Sequence, residues 1–178
     1  MSTSGTDSEH DDNWGEPRTK TITWYDPLRA AAAGARLSGL EHLRAIRDGA
    51  LPPPPIASHF SFRIIDVEPG DVTFTCVPDE SAYNPIGLVH GGLVCTLLDS
   101  VVGCAVQSTL AAGVGYTSIE LKVSYLRPVR HDSGELRARG RVTKPGRRVA
   151  FAEGDVRDAA GKVIAAATGS CLVIAAES

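Results

Sequence analysis

The sequence lacks a dominant charge, a paired set of cysteines and any cluster of histidines. Its 178 residues carry 18 Lys and Arg against 21 Asp and Glu, a net charge of −3. The chain as a whole is therefore no electrostatic trap for nucleic acid or an anionic membrane, and neither is expected as a partner. Any anionic ligand must be held by a local group of Lys and Arg. The cysteines, Cys76, Cys95, Cys104 and Cys171, form no CxxC pair and have no histidine at metal-ligand spacing. They sit among apolar residues and read as buried free thiols of a reducing compartment. The five histidines are scattered, so no metal site is expected. The N-terminus shows no basic segment followed by an apolar one, so no secretory signal is expected and a cytoplasmic location is the expectation.

Charge is scarcest from Gly91 to Ile119, where Asp99 is the single ionised group. The length of this stretch suggests a membrane span. A central Asp costs about 2.5–3.5 kcal/mol on insertion scales, and Ser100, Gln107, Ser108 and Thr109 add polarity. A helix from about Gly91 to Leu110, covered by protein, explains the same composition.

Residues 1–20 are polar and acidic and are expected to form a disordered tail. Residues 21–55 read as a helical arm ending in a proline linker. Asp26-Pro27 is an N-cap followed by a proline in the first turn, and Ser38 with Glu41 has capping-box spacing. Leu40, Leu43 and Ile46 form an apolar stripe, stopped by Gly49 and Pro52–Pro55. Residues 56–178 form the main domain. Strands begin at about His59, where Phe60, Phe62 and Ile64 alternate with Ser61 and Arg63. After the turn Pro69-Gly70-Asp71 comes the alternating run Val72, Phe74, Cys76. Beyond the helix the period of two returns at Ile119, Leu121, Val123 and Tyr125. It returns again at Leu136, Ala138 and Val142, whose partners Arg137, Arg139 and Arg141 form an outer face. Further strands lie near 147–157 and 162–174. Apart from that one helix the strands follow one another directly, so parallel βαβ units are not expected. The pattern predicts an α+β fold, a long central helix wrapped by a six-stranded antiparallel sheet, with an N-terminal helical arm.

Asp99 is the chemical outlier. A carboxylate in an apolar helix is costly unless it is paired, hydrogen-bonded, neutral or facing a wet interface. Upstream, Asn84 to Gly92 places Gly91 and Gly92 at the helix start. The first amides of a helix have no intrahelical partner and lie at the positive end of its dipole. Aimed at a carbonyl, such an amide is an oxyanion donor, although His90-Gly91-Gly92 alone is also a tight turn.

Four segments, NPIGLVHGG (84–92), LLDS (97–100), TSIELKVSYLRPV (117–129) and GRRVAFAEGDVRDAAG (146–161), carry a resemblance over about residues 56–174. The sequence resembles the PaaI-type branch of the hot-dog-fold thioesterases, the 4-hydroxybenzoyl-CoA thioesterase superfamily. The resemblance implies a hot-dog fold and hydrolysis of acyl- or aryl-acyl-CoA to the free acid and CoA, with no metal or redox cofactor. It implies that Gly91 polarises the thioester carbonyl through its N–H and that Asp99 is nucleophile or general base. Asn84 would orient water or the carbonyl, and Ser118 or its neighbour Thr117 would bond Asp99. His90 would shape the turn. CoA phosphates call for cations, offered by Lys144, Arg147 and Arg148 around Pro145-Gly146, and by Arg127 beside Arg130. Gly92 would lie against the same ligand. A hot-dog hydratase or dehydratase, and a non-catalytic acyl-CoA-binding protein, are the competing readings.

Gly91 and Asp99 are eight residues apart, about 12 Å along a helix axis. One chain cannot bring both to one carbonyl. A dimer, or a dimer of dimers, with sites shared between antiparallel helices is expected.

Overall fold

The computed structural model describes residues 14–130 and 132–175. In chain order it holds α1 (Pro27–Gly34), α2 (Gly39–Arg47), α3 (Pro55–Phe60), β1 (Phe62–Glu68), β2 (Asp71–Cys76), a 3-10 turn (Glu80–Ala82), α4 (Gly91–Gln107), β3 (Gly115–Tyr125), β4 (Leu136–Lys144), β5 (Val149–Arg157) and β6 (Val163–Ile174). The strands form one sheet in the order β1-β2-β4-β5-β6-β3, every neighbouring pair antiparallel. This is the expected hot-dog arrangement of helix and sheet, with helices ahead of it. β1 and β3 are the edges. None of the described helices is long and apolar enough to cross a membrane.

The arm forms as its caps dictate. The Asp26 side chain accepts from the amides of Leu28 and Arg29, and the Ser38–Glu41 capping box is complete in both directions. Residues 1–13 of the expected tail lie outside the described residues; Arg18 pairs with Glu80 and Lys20 reaches Asp79 at 2.6 Å. The arm is docked on the far end of α4. Gly39 N–H donates to Leu110 O at 3.0 Å and Gly113 N–H to Ala35 O at 3.2 Å. Leu43 is buried in the core, and Arg44 donates to Val67 O from two guanidinium nitrogens.

Three local expectations are corrected. The strand expected from about His59 starts at Phe62, because Pro55–Phe60 is a helix that ends on Ser61 in the left-handed region, φ 56°. Phe60 and Phe62 stack across that joint with centroids 5.7 Å apart, so both are apolar anchors without sharing a strand. α4 stops at Gln107 rather than Leu110. The hydroxyls of Ser108 and Thr109 turn back onto the Ala105 and Val106 carbonyls, and Leu110 N–H bonds Gln107 O in a tighter turn. The alternation in β3 is broken by an irregularity between Ser118 and Glu120, which leaves Ile119 exposed.

The helix sits unusually close to the sheet. Leu97, Leu98, Val101 and Val106 are fully buried beneath it. Gly140 of β4 and Gly154 of β5 are register partners at the crossing. A methyl group at Gly140 would lie 2.1 Å from the Val101 carbonyl oxygen, and one at Gly154 would lie 3.3 Å from the Val101 and Val102 side chains. The first obstacle is backbone, which cannot rotate aside. Gly140→Ala should therefore destabilise the fold by about 3 kcal/mol, at the upper end of overpacking costs, read from urea unfolding. An effect below about 0.5 kcal/mol would show that the helix can lift off its seat.

Candidate active site

The loop before α4 is built by Asn84. Its side-chain oxygen accepts from the amides of Ile86 at 3.1 Å and Leu88 at 3.0 Å, and its own N–H donates to Leu88 O at 2.7 Å. Gly87 completes the loop at φ 75°. The Asn84 carbonyl is thus fully employed, while its NH2 group makes no hydrogen bond among the described residues.

His90 is the N-cap of α4. Its Nδ1 accepts from Gly92 N–H at 2.8 Å, which assigns the neutral ring proton to Nε2. That contact uses the Gly92 amide. The neighbouring Gly91 amide has no acceptor among the described residues, at the positive end of a 17-residue helix. The Tyr125 hydroxyl donates to Gly91 O at 3.0 Å, and its ring is so near that a methyl at Gly91 would lie 3.3 Å away. Asn84, Gly91, Tyr125 and Arg127 share a cavity of about 290 Å³. Arg127 is fixed there by donating to Val163 O at 2.6 Å.

Asp99 lies farther along α4, on the face that the sheet leaves uncovered. It is exposed in the single chain, which corrects the expectation of a carboxylate enclosed by protein. Ser118 Oγ donates to Asp99 Oδ1 at 2.8 Å. Thr117 precedes it in the strand and faces the opposite side of the sheet, so Ser118 is the residue that reaches the carboxylate. Loss of solvent pushes the nearby Cys104 thiol up to about 12 and raises the Tyr116 phenol well above its ordinary value. Neither is a base or nucleophile at neutral pH.

Lys144 ends β4, and Gly146, Arg147 and Arg148 form the turn into β5. The three cations are exposed and have no carboxylate partner among the described residues. Arg139 and Arg141 of the outer face, in contrast, are paired with Asp71 and Glu153.

The predicted residues thus fall into two groups. Asn84, Gly91 and Arg127 gather at the Tyr125 end of β3. Asp99, Ser118 and the basic turn gather at the other end, where Thr117 pairs with Leu172 and Leu172 with Val149. Eight residues of strand, about 27 Å, separate Thr117 from Tyr125. Tyr125 went unread as a site residue because an aromatic in an alternating strand looks like packing. Only its contact with Gly91 distinguishes it.

A sequence model of the thioesterase superfamily matches residues 86–165. Acyl-coenzyme A thioesterase 13 of Homo sapiens is 30% identical over 103 residues, which span 57% of this chain and 72% of that protein. A phenylacetic acid degradation-related protein of Ralstonia eutropha JMP134 is 31% identical and superposes with a TM-score of 0.67, covering 73% of this chain and 98% of that one. A hypothetical thioesterase of Streptococcus pneumoniae TIGR4, solved with coenzyme A, is 26% identical with a TM-score of 0.59, covering 66% of this chain and 91% of that one.

The division of labour within Asn84 can be tested by thermal unfolding. Asn84→Ala removes the acceptor for two backbone amides and should cost about 1–3 kcal/mol. Asn84→Asp keeps the acceptor and should hold most of that stability. Equal losses in both variants would mean that the NH2 group, not the oxygen, secures the loop.

Proposed function

The chain belongs to the thioesterase superfamily and is a thioesterase, and from that premise we propose that it hydrolyses acyl- or aryl-acyl-CoA in the cytoplasm at a site shared between two copies. The reading is carried by one pairing: an unclaimed Gly91 amide at a positive helix end, and an Asp99 carboxylate oriented by Ser118.

The chemistry follows from what each atom has left to give. Ser118 occupies Oδ1 of Asp99, so Oδ2 is the atom that accepts a proton from water or attacks the acyl carbon itself. Attack moves negative charge onto the thioester oxygen. The Gly91 N–H and the Asn84 NH2 are donors for that charge. Collapse breaks the C–S bond, the thiolate of CoA takes up a proton, and the water oxygen stays with the acid. If Asp99 attacks directly, water then cleaves the resulting anhydride to the same products. The carboxylate and the amide supply proton transfer and charge stabilisation, so no metal or redox cofactor is invoked. Arg127, Lys144, Arg147 and Arg148 are the cations offered to the CoA phosphates, and Gly92, at the start of α4, would lie against the same ligand.

Sharing follows from the two separated groups. Antiparallel pairing of β3 with β3 of a second copy brings the Gly91 end of one chain to the Asp99 end of the other. It also brings Arg127 to the partner's basic turn and covers an open sheet edge. A dimer is the smallest assembly that does this, and a dimer of dimers repeats it.

Release of free thiol from a panel of CoA esters tests the reaction, since hydration or mere binding releases none. Asp99→Asn should lower kcat by at least about 100-fold with native circular dichroism and CoA binding retained. Activity within a few fold of wild type would remove Asp99 from the chemistry.

The shared site has its own test. Gly91→Pro deletes the amide at a helix position where proline is tolerated. It should be inactive alone, as should Asp99→Asn. Co-refolded heterodimers should recover up to about half of the sites, because one of two composite sites keeps both groups. Verified heterodimers with native fold and no recovery would place both groups in one chain.

A further inference from the structure

Lys20, the last residue of the segment expected to be a disordered tail, reaches the loop that leads into α4. Its Nζ donates to three acceptors: Asp79 Oδ2 at 2.6 Å, His59 O at 3.0 Å and Ser81 Oγ at 3.4 Å. The side chain is 31% exposed. A lone surface ion pair contributes little, but an ammonium whose three protons each meet an acceptor is fixed in place. The chain is also held on either side of Lys20. Arg18 pairs with Glu80, and the Trp24 ring stacks on His59 with centroids 6.1 Å apart.

The three acceptors join two elements that are not consecutive. His59 lies in the last turn of α3, where carbonyls have no partner within the helix. Asp79 caps the 3-10 turn Glu80–Ala82, accepting from the Ser81 N–H at 2.9 Å and from the Ser81 hydroxyl. Hydrogen bonds from Lys20 and then from Ser81 hold the Asp79 carboxyl below its ordinary range, so the contact is ionic at neutral pH. The turn passes its position on. Ala82 O accepts from the His90 N–H at 2.8 Å, and Tyr83 pairs with Val89. Asn84 follows Tyr83, and Gly91 follows His90, so both donors of the site hang on this turn. Farther along the chain, α1 walls a cavity of about 650 Å³ opposite α4 between Asp99 and Gln107. The N-terminal region thus faces the Asp99 end of α4 through the arm and is tied to the Gly91 end through Lys20.

We propose that Lys20 is a positioning residue of the hydrolase: it ties the 3-10 turn to α3 and thereby aims the Asn84 NH2 and the Gly91 N–H at the thioester oxygen. The inference rests on the hydrolase reading above. Both donors act on charge that develops only as the carbonyl is attacked, so misplacing them falls on kcat rather than on substrate binding.

Lys20→Met removes the ammonium and keeps an unbranched stem. With a CoA ester that the wild type cleaves, kcat should fall about tenfold, since small misplacements near reacting groups are costly. KM should stay within about twofold and circular dichroism should stay native. Combining Lys20→Met with Asp79→Asn should be no worse than either change alone, because both remove one contact. A second readout needs no turnover. Exchange of the His90 amide, which is bonded to Ala82 O, should be at least about tenfold faster in Lys20→Met, with β5 amides unchanged. Unchanged kcat in the folded variant, a loss confined to KM, or unchanged His90 exchange overturns the assignment. If Lys20→Met does not fold, Asp79→Asn, which keeps the acceptor for Ser81, carries the same expectations. Absence of thiol release by the wild type from every ester sinks the hydrolase reading instead, and His90 exchange alone then tests the tether.

Discussion

The backbone of α4 rests on Gly140 with the Val101 carbonyl nearer than any side chain would permit, and Gly154 widens that seat into the next strand. Close seating fixes the height and rotation of the helix together, because interiors are packed too densely for a helix to slide. Once the rotation is set, the face carrying Asp99 turns away from the sheet. Ser118, next to the irregularity in β3, meets it there. The same rotation carries the helix start to Tyr125, which clamps Gly91 through its carbonyl and leaves the amide aimed outward. Both groups of candidate site residues inherit their geometry from a contact to which neither belongs.

Polar groups at the helix entry are allotted without overlap. His90 takes the Gly92 amide and so caps the helix; the Gly91 amide, one residue earlier, is left over. Asn84 is divided within a single side chain, its oxygen holding the loop and its nitrogen unengaged. A helix that satisfied all its first amides would be more stable and would offer no donor at its start. Here one cap is made and one donor is left free, so the cap and the open donor do not compete for the same amide.

Much of this was legible in the sequence, for definable reasons. The period of two marked β2 and β4, and the scarcity of charge around Asp99 marked α4. Capping residues announced α1 and α2, because Asp26 and Ser38 act on amides only two or three residues away. The misreadings came where one pattern serves two structures. Phe60 and Phe62 look like one strand face, yet a left-handed Ser61 separates them. The exposure of Asp99 was hidden because an apolar helix does not disclose which of its faces is covered. The His42–Gln107 contact joins residues 65 apart, and no local signal in either neighbourhood encodes it. The Thr117 and Ser118 alternatives differed by one register step, which only strand pairing could resolve.

The alanine run of α1 has a consequence for how such a chain can diverge. Its residues face a hollow on one side and solvent on the other, so they neither support the core nor touch the reacting groups. Enlarging one of them spends no buried contact and disturbs no cap. Mutational drift can therefore wander along this helix at little risk to folding, and each step alters the shape of the hollow by a few atoms.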